Sequence, residues 1–282
     1  MRPDFSGSPD YYLYVARGYD LISTTYDGVE GSNAVGRRLR ARMQGALYRT
    51  FHAGDRVVEL GCGTGIEALA LASRGIEVVA TDPSEGMLER VREKAAEYGP
   101  SQLTTRRMAA HEIGSLAAEF GEGSFDGAYS HGGALNMDPN LGAVAAGLAR
   151  LLQPAGKALF TVLNQVSLFE LLFYPLVFRP RKAFRRLGNI IPIPITRHAA
   201  HKAFVVPTRF YSPRAFFRFF RDAFTLRRLE GAQIVLPPWN LSDEVDRFEA
   251  ITGPIAAIED RFAATPPFNQ WGSVFMMELE RT

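Results

Sequence analysis

Apolar residues along this chain fall into short runs at 55–60, 76–81, 103–108, 125–130 and 156–163, each of strand length. Between them lie stretches at 66–74, 84–98 and 141–152 in which apolar positions recur every three or four residues, the period of a helix with one buried face. Pro83-Ser84 supplies a start for the second helix and Tyr98-Gly99-Pro100 a stop. Strands alternating with helices predict a parallel sheet covered on both faces. Residues 10–51 read as helices ahead of the first strand. The pattern breaks after the fifth strand, where 164–207 carries prolines at 175, 180, 192, 194 and 207. That segment is too long for an ordinary connection and is expected to form a lid. Within it, Ile190-Ile191-Pro192-Ile193-Pro194-Ile195 is unsuited to a normal helix. A helix at 212–222, a strand at 225–236, a helix at 242–263 and a strand at 272–280 complete the chain. Four regions follow: N-terminal helices at 1–52, an α/β core at 53–163, a lid at 164–222 and a C-terminal completion of the sheet at 223–282.

Composition narrows the class. A chain of 282 residues with 46% hydrophobic side chains can bury one large core with a cap. One cysteine excludes an internal disulfide and suits a reducing compartment. The first residues lack the apolar run of a signal peptide, and no uninterrupted apolar segment has spanning length, so a cytoplasmic location without stable membrane insertion is expected. The net charge of +2 conceals an asymmetry: no acidic residue lies between Glu170 and Asp222, while 171–221 carries 11 Lys/Arg. The rest of the chain holds 21 basic against 30 acidic residues. Such local polarity points to an anionic small-molecule partner, not to a wholly basic nucleic-acid binder. Oligomerisation is left open.

The chemistry concentrates in Val57-Val58-Glu59-Leu60-Gly61-Cys62-Gly63-Thr64-Gly65, followed by Val78-Val79-Ala80-Thr81-Asp82. A strand runs into a glycine-dense turn, and a second strand ends in a carboxylate able to accept from two ribose hydroxyls. Glycine there lets backbone N–H groups approach a ligand. The NAD fingerprint needs a third glycine where this chain has Ile66. The pattern E-x-G-x-G-x-G instead resembles motif I of the class I S-adenosylmethionine (SAM)-dependent methyltransferases. Leu151-Leu152-Gln153-Pro154-Ala155-Gly156 resembles the turn before their fifth strand, with Ala155 in place of a glycine.

That resemblance implies a Rossmann-like α/β fold, a seven-stranded, mostly parallel sheet with helices on both faces and a lid after strand five. It implies that Gly61, Gly63 and Gly65 lie beneath the methionine portion of SAM, with Glu59 facing its amino group. Asp82 would hold the ribose, and Pro83 and Met87 would flank the adenine. The acidic residue usual after strand three is replaced in Met108-Ala109-Ala110-His111-Glu112, leaving His111 or Glu112 beside Ala110 to meet the adenine. Ser130 and His131 follow strand four, under the methyl group, with His131 either a general base or a structural histidine. Tyr19-Asp20 and Tyr26-Asp27 resemble the "YD" signature that closes over SAM, with Tyr26 the preferred contact.

The acceptor is left to the lid. Alongside its basic residues, 171–221 holds 11 Phe/Tyr, including Phe173, Tyr174, Phe178, Phe204, Phe210 and Tyr211. Aromatic walls beside Arg179, Arg181, Arg185, Arg197, His198, His201, Lys202 and Arg209 suit an apolar body with an anionic head. Methylation of an alkene leaves a carbocation that must lose a proton, and Glu170 stands where a base would serve. This constellation resembles the prenyl diphosphate C-methyltransferases, with Mg2+ arriving on the diphosphate. Other readings stand beside it. Glu170 can pair with a nearby arginine, and the basic run can be a solvated face or a docking patch for a carrier protein or membrane. O- or N-methylation of a natural product needs only an activated acceptor and His131. An RNA methyltransferase would bring further motifs that are not found here, and a non-catalytic SAM-binding regulator is required by nothing in the chain. His198-x-x-His201 has helical spacing but no nearby cysteine or acidic ligand, so no metal site is expected.

Overall fold

The computed structural model describes residues 5–28, 34–99, 102–188, 190–195, 204–238 and 249–282. Its centre is a seven-stranded sheet in the order β3-β2-β1-β4-β5-β9-β8. The strands are β1 (Arg56–Leu60), β2 (Glu77–Asp82), β3 (Leu103–Arg107), β4 (Phe125–Ser130), β5 (Leu152–Leu163), β8 (Phe224–Ala232) and β9 (Val274–Arg281). The first five pair in parallel, and β9 runs antiparallel to both β5 and β8. Strand pairs such as Val57-Val58 and Val78-Val79 send one side chain to each face, and both are buried. On one face Val58, Val79, Phe160 and Phe275 meet Val144 and Leu148 of the helix Leu141–Leu151, with Phe216 and Phe220. On the other, Val57, Val78 and Tyr129 meet Met43, Leu47 and Phe51 from the N-terminal region, with Leu71 and Val91. Phe216 and Phe220 are therefore core anchors.

Sequence and structure differ mainly at element ends. β5 starts at Leu152 and not at 156, because the Pro154-Ala155-Gly156 turn is absorbed as an irregularity in the β4–β5 pairing. Ala155 adopts a φ of 63° there, where a glycine would be unstrained. β8 stops at Ala232 because Gln233 turns the chain at a φ of 55°. The buried carboxylate of Glu259 then accepts the N–H groups of Gln233, Ile234, Val235 and Leu236 at 2.8–3.1 Å. The helix expected at 212–222 is shorter, Pro213–Phe217, capped by Ser212. The one expected at 242–263 is described from Glu249 to Phe262.

Two elements cover the strand ends that hold the glycine turn. The helix Pro9–Asp20 (α1) starts with Ser8 accepting the Tyr11 N–H and Pro9 in the first turn. The proline-rich segment forms a hairpin, β6 (Ile190–Pro194) against β7 (Val205–Arg209), in which Pro192 stands opposite Pro207. Prolines are tolerated because this ribbon is all edge. It docks on α1: the Tyr14 hydroxyl donates to the Val205 carbonyl at 2.8 Å, and the Tyr14 and Phe204 rings stack at 4.4 Å. Gly18 makes the contact possible, since a Cβ there would sit 2.3 Å from the Phe204 ring.

Candidate cofactor and acceptor site

The glycine turn joins β1 to the helix Ile66–Ala72, and Asp82 ends β2 beside it. Gly61, Gly63 and Gly65 all have left-handed φ, at +70°, +52° and +77°, and a Cβ on Gly61 would lie 2.4 Å from that of Ala134. Any side chain there is both strained and obstructed. The Gly63 N–H of the turn donates to Asp82 Oδ2, and the N–H of Ser84, just past β2, donates to Oδ1, both at 2.9 Å. Burial pushes the Asp82 carboxyl up to about 6, although these two amides favour its ionised form. Glu59 is also buried and accepts the Tyr129 hydroxyl at 3.1 Å. Desolvation, then the nearby Glu67, raises it well above the usual carboxylate range.

A cavity of about 40 Å³ is lined by the turn together with Tyr26, Arg40, Glu59, Glu67 and His131. The crevice opens where the strand order reverses, between β1 and β4, the position at which open α/β sheets bind ligands. Arg40, on the helix Ala34–Thr50, lies 2.6 Å from the buried Glu67. No sequence signal marked this pair, because its partners are joined only in the folded chain. The N-terminal segment is fastened to both cofactor loops. Asp20 Oδ1 accepts the Ser84 hydroxyl at 2.6 Å and the Gly86 N–H at 2.9 Å. Asp27 accepts the Thr64 hydroxyl and lies 2.6 Å from Lys94 Nζ. Both aspartates of the "YD" pairs thus act as fasteners, while the Tyr26 ring lies over Gly63.

The remaining expected cofactor residues are placed less uniformly. Met87 is fully buried and donates its N–H to the capping Ser84, while the Pro83 carbonyl accepts from Arg107. Ser130 is buried, and its hydroxyl donates to the Leu60 carbonyl, so it ties β4 to β1. Ala110 packs on the core. The His111 ring stacks on Tyr12 at 4.1 Å, and its backbone N–H donates to Asp138 Oδ2 at 3.0 Å. Glu112 accepts the Ala109 N–H at 2.7 Å as a helix cap, so its carboxylate is already engaged. Half-buried His131 places Nδ1 3.2 Å from Thr161 Oγ1, and burial lowers it below the ordinary imidazole value.

On the acceptor side the structure pairs the expected base with two arginines. Glu170 is fully buried and held by two guanidinium groups: Arg185 Nη2 and Nε at 2.7 and 3.1 Å, and Arg186 Nη2 at 2.9 Å. Burial opposes ionisation, but the two arginines outweigh it and hold the carboxyl below its usual value. A carboxylate so paired is a poor proton acceptor. Arg185 is by the same contact already committed, beside the buried Tyr174 ring. Phe210 is buried under the Arg186 guanidinium, which lies 5.1 Å from the ring centroid. Arg179 is exposed, and Arg209 sits between Phe5 and Tyr211 at 5.5 and 5.9 Å. Among the described residues, then, Arg185 is paired, Arg179 is exposed and Arg209 lies between two rings. Arg197, His198, His201 and Lys202 lie outside the described residues. Among the described residues no group of three His, Cys, Asp or Glu side chains is arranged to hold a metal ion.

Comparison with known proteins follows this geometry. Residues 57–156 match the family model described as "Methyltransferase domain". The chain is 32% identical over 158 residues to a demethylmenaquinone methyltransferase of Clavibacter sepedonicus, covering 56% of this chain and 60% of that protein. The chain spans less than two thirds of the length of the curated relatives first matched. Among solved structures, the [4+2]-cyclase SpnF superposes with a TM-score of 0.62 at 17% identity, covering 94% of this chain and 95% of that one. The geranyl diphosphate C-methyltransferase from Streptomyces coelicolor A3(2) superposes with a TM-score of 0.55 at 16% identity, covering 87% of this chain and 82% of that one. At these identities the structural likeness is one of fold.

Proposed function

We propose, from the premise that residues 57–156 are a class I methyltransferase domain, that the chain moves the methyl group of S-adenosyl-L-methionine to a small hydrophobic acceptor with an acidic or anionic oxygen. The observation that carries this reading is the carboxylate of Asp82, fixed by the Gly63 and Ser84 amides at the mouth of the glycine turn. The cofactor supplies an electrophilic methyl on a sulfonium. Asp82 takes the ribose hydroxyls, and Arg40 is the cation in the crevice lining that can meet the methionyl carboxylate. Glu59, the glycine turn and Tyr26 close the amino end, and the fastened N-terminal segment excludes water. His131 is neutral at pH 7 because burial lowers it. In the tautomer whose Nδ1–H donates to Thr161, its Nε2 is left as the acceptor for a proton from the substrate.

Recombinant protein, SAM and a panel of phenols, quinols, hydrophobic acids and geranyl diphosphate test this by mass spectrometry. The expected result is S-adenosylhomocysteine together with a product heavier by one methyl. S-adenosylhomocysteine binding without any turnover, or acceptor rearrangement at unchanged mass, would sink the proposal. His131→Asn should lower kcat by about a hundredfold at unchanged S-adenosylhomocysteine affinity. The isoprenoid diphosphate reading is supported by Arg209 between Phe5 and Tyr211, a cation among aromatic faces. In that reading the Glu170 carboxylate has to give up its pairing with Arg185 and Arg186 to take the proton, and Mg2+ would have to arrive on the diphosphate. Turnover of geranyl diphosphate in the same panel decides it.

A further inference from the structure

The lid carries a surface that the crevice does not use. After β5 the helix Leu168–Leu176 turns at Val177–Arg179 into the short helix Pro180–Ala183 and a 3-10 turn at Arg185–Gly188. This lobe exposes six large apolar side chains: Leu172, Leu176, Val177, Phe178, Phe184 and Leu187. Leu176 is 78% exposed and Phe178 93%. Isolated exposed leucines need no explanation, but six large apolar side chains in one short lobe do.

The tip is built, not frayed. The Phe178 N–H donates to the Pro175 carbonyl at 3.1 Å and the Arg179 N–H to the Tyr174 carbonyl at 2.8 Å. Phe178 is held there at a φ of 57°, a conformation unfavourable for an aromatic residue. Behind it, buried Glu170 pairs with buried Arg186 and with the more exposed Arg185, tying the two halves of the lobe together. Arg186 also donates to the carbonyls of Asn164 and Ser273 at the end of the sheet. The fold thus supports a projecting apolar tip at a conformational cost.

Charge selects the occupant. Phe178 borders an open concavity of about 450 Å³ whose other walls are Arg179, Pro180, Arg181 and Lys182. No acidic residue occurs anywhere in 171–221. Two copies meeting through this face would oppose cation to cation, with no carboxylate supplied by 171–221. An acidic peptide would neutralise the cations but leave the apolar side chains in water. An anionic bilayer surface satisfies both, with apolar side chains at the acyl boundary and cations among the headgroup phosphates. Among the described residues no helix is long and apolar enough to cross a membrane, so contact would be at the surface.

We propose that the Leu172–Leu187 lobe docks the protein on anionic lipid bilayers, with Leu176 and Phe178 inserted and Arg181 and Lys182 at the phosphates. The proposal rests on the lobe itself and stands or falls separately from the methyltransferase reading. The test is co-sedimentation of the full chain with vesicles of phosphatidylcholine alone or with about 30% phosphatidylglycerol, at near-physiological salt. Binding is expected on the anionic vesicles only. Leu176→Ser with Phe178→Ala, and separately Arg181→Glu with Lys182→Glu, should each weaken it by about tenfold or more. S-adenosylhomocysteine thermal shifts report that the variants remain folded. Equal binding to both vesicle types, or retained binding by either double variant, overturns the proposal. So does a concentration-dependent dimer that the same substitutions abolish, which would make a second copy the occupant.

Discussion

Acidification should weaken nucleoside binding through Asp82, and the structure sets the midpoint. Burial raises this carboxyl from 3.8 to about 6, opposed by the Ser84 and Gly63 amides and assisted by Asp20. A ribose diol needs an acceptor at both carboxylate oxygens, and a protonated acid offers one fewer. Affinity for S-adenosylhomocysteine should be level above about pH 7 and fall towards tenfold per pH unit below about 6, roughly 1.4 kcal/mol for each unit. Stability runs the other way. The folded carboxyl keeps its proton to higher pH than the unfolded one, so its contribution is fully present below the unfolded value of 3.8. That contribution fades as pH rises and is lost above the folded value of about 6. The shift corresponds to about 3 kcal/mol for this buried group. Isothermal titration calorimetry from about pH 5 to about pH 8 measures the binding limb. Asp82→Asn should bind about a hundredfold more weakly at the alkaline end and show no slope, since its amide does not titrate. A wild-type affinity that stays level from about pH 7 down to about pH 5, or an unchanged slope in Asp82→Asn, would refute the assignment.

Other substitutions probe the packing around the site. Glu170→Gln leaves Arg186 buried beside a neutral amide and should cost about 3–5 kcal/mol in urea denaturation. The folded fraction should still bind S-adenosylhomocysteine, because no cofactor contact is altered. Gly18→Val drives a side chain into the Phe204 ring and should cost about 1–3 kcal/mol, with faster limited proteolysis of the β6–β7 hairpin as the readout. Ala155→Gly relieves a left-handed alanine and should raise stability by about 0.5–1 kcal/mol, net of the greater freedom of the unfolded chain. A lower urea midpoint in that variant would mean the turn is unstrained.

Local pattern sufficed where local chemistry decides. The double-faced apolar strands, the Gly61–Gly65 turn and Asp82 are short motifs whose geometry is nearly determined by their own residues. Ser84 and Ser212 capped their helices as such residues commonly do. What escaped notice depends on partners far apart in the chain. Arg40 meets Glu67, and Asp20 meets Ser84 and Gly86, only once the N-terminal segment has folded over the sheet. Glu170 shows the converse. Its isolation at the edge of an acid-free, arginine-rich run suggested both a base and an ion pair. Side-chain direction, invisible in sequence, brings the ion pair into view. The end of β8 likewise hinged on Glu259, 26 residues from Gln233.

The two aspartate fasteners carry a kinetic consequence. Asp20 and Asp27 hold one segment against both loops that would embrace the nucleoside. On the proposed reading, release of spent cofactor would be coupled to lifting of this segment, which makes unlatching a candidate for the slowest step of each cycle. Because the Asp27–Lys94 contact is partly exposed to solvent, added salt should speed release while loosening retention. Turnover and affinity would then move in opposite directions along a single ionic-strength axis.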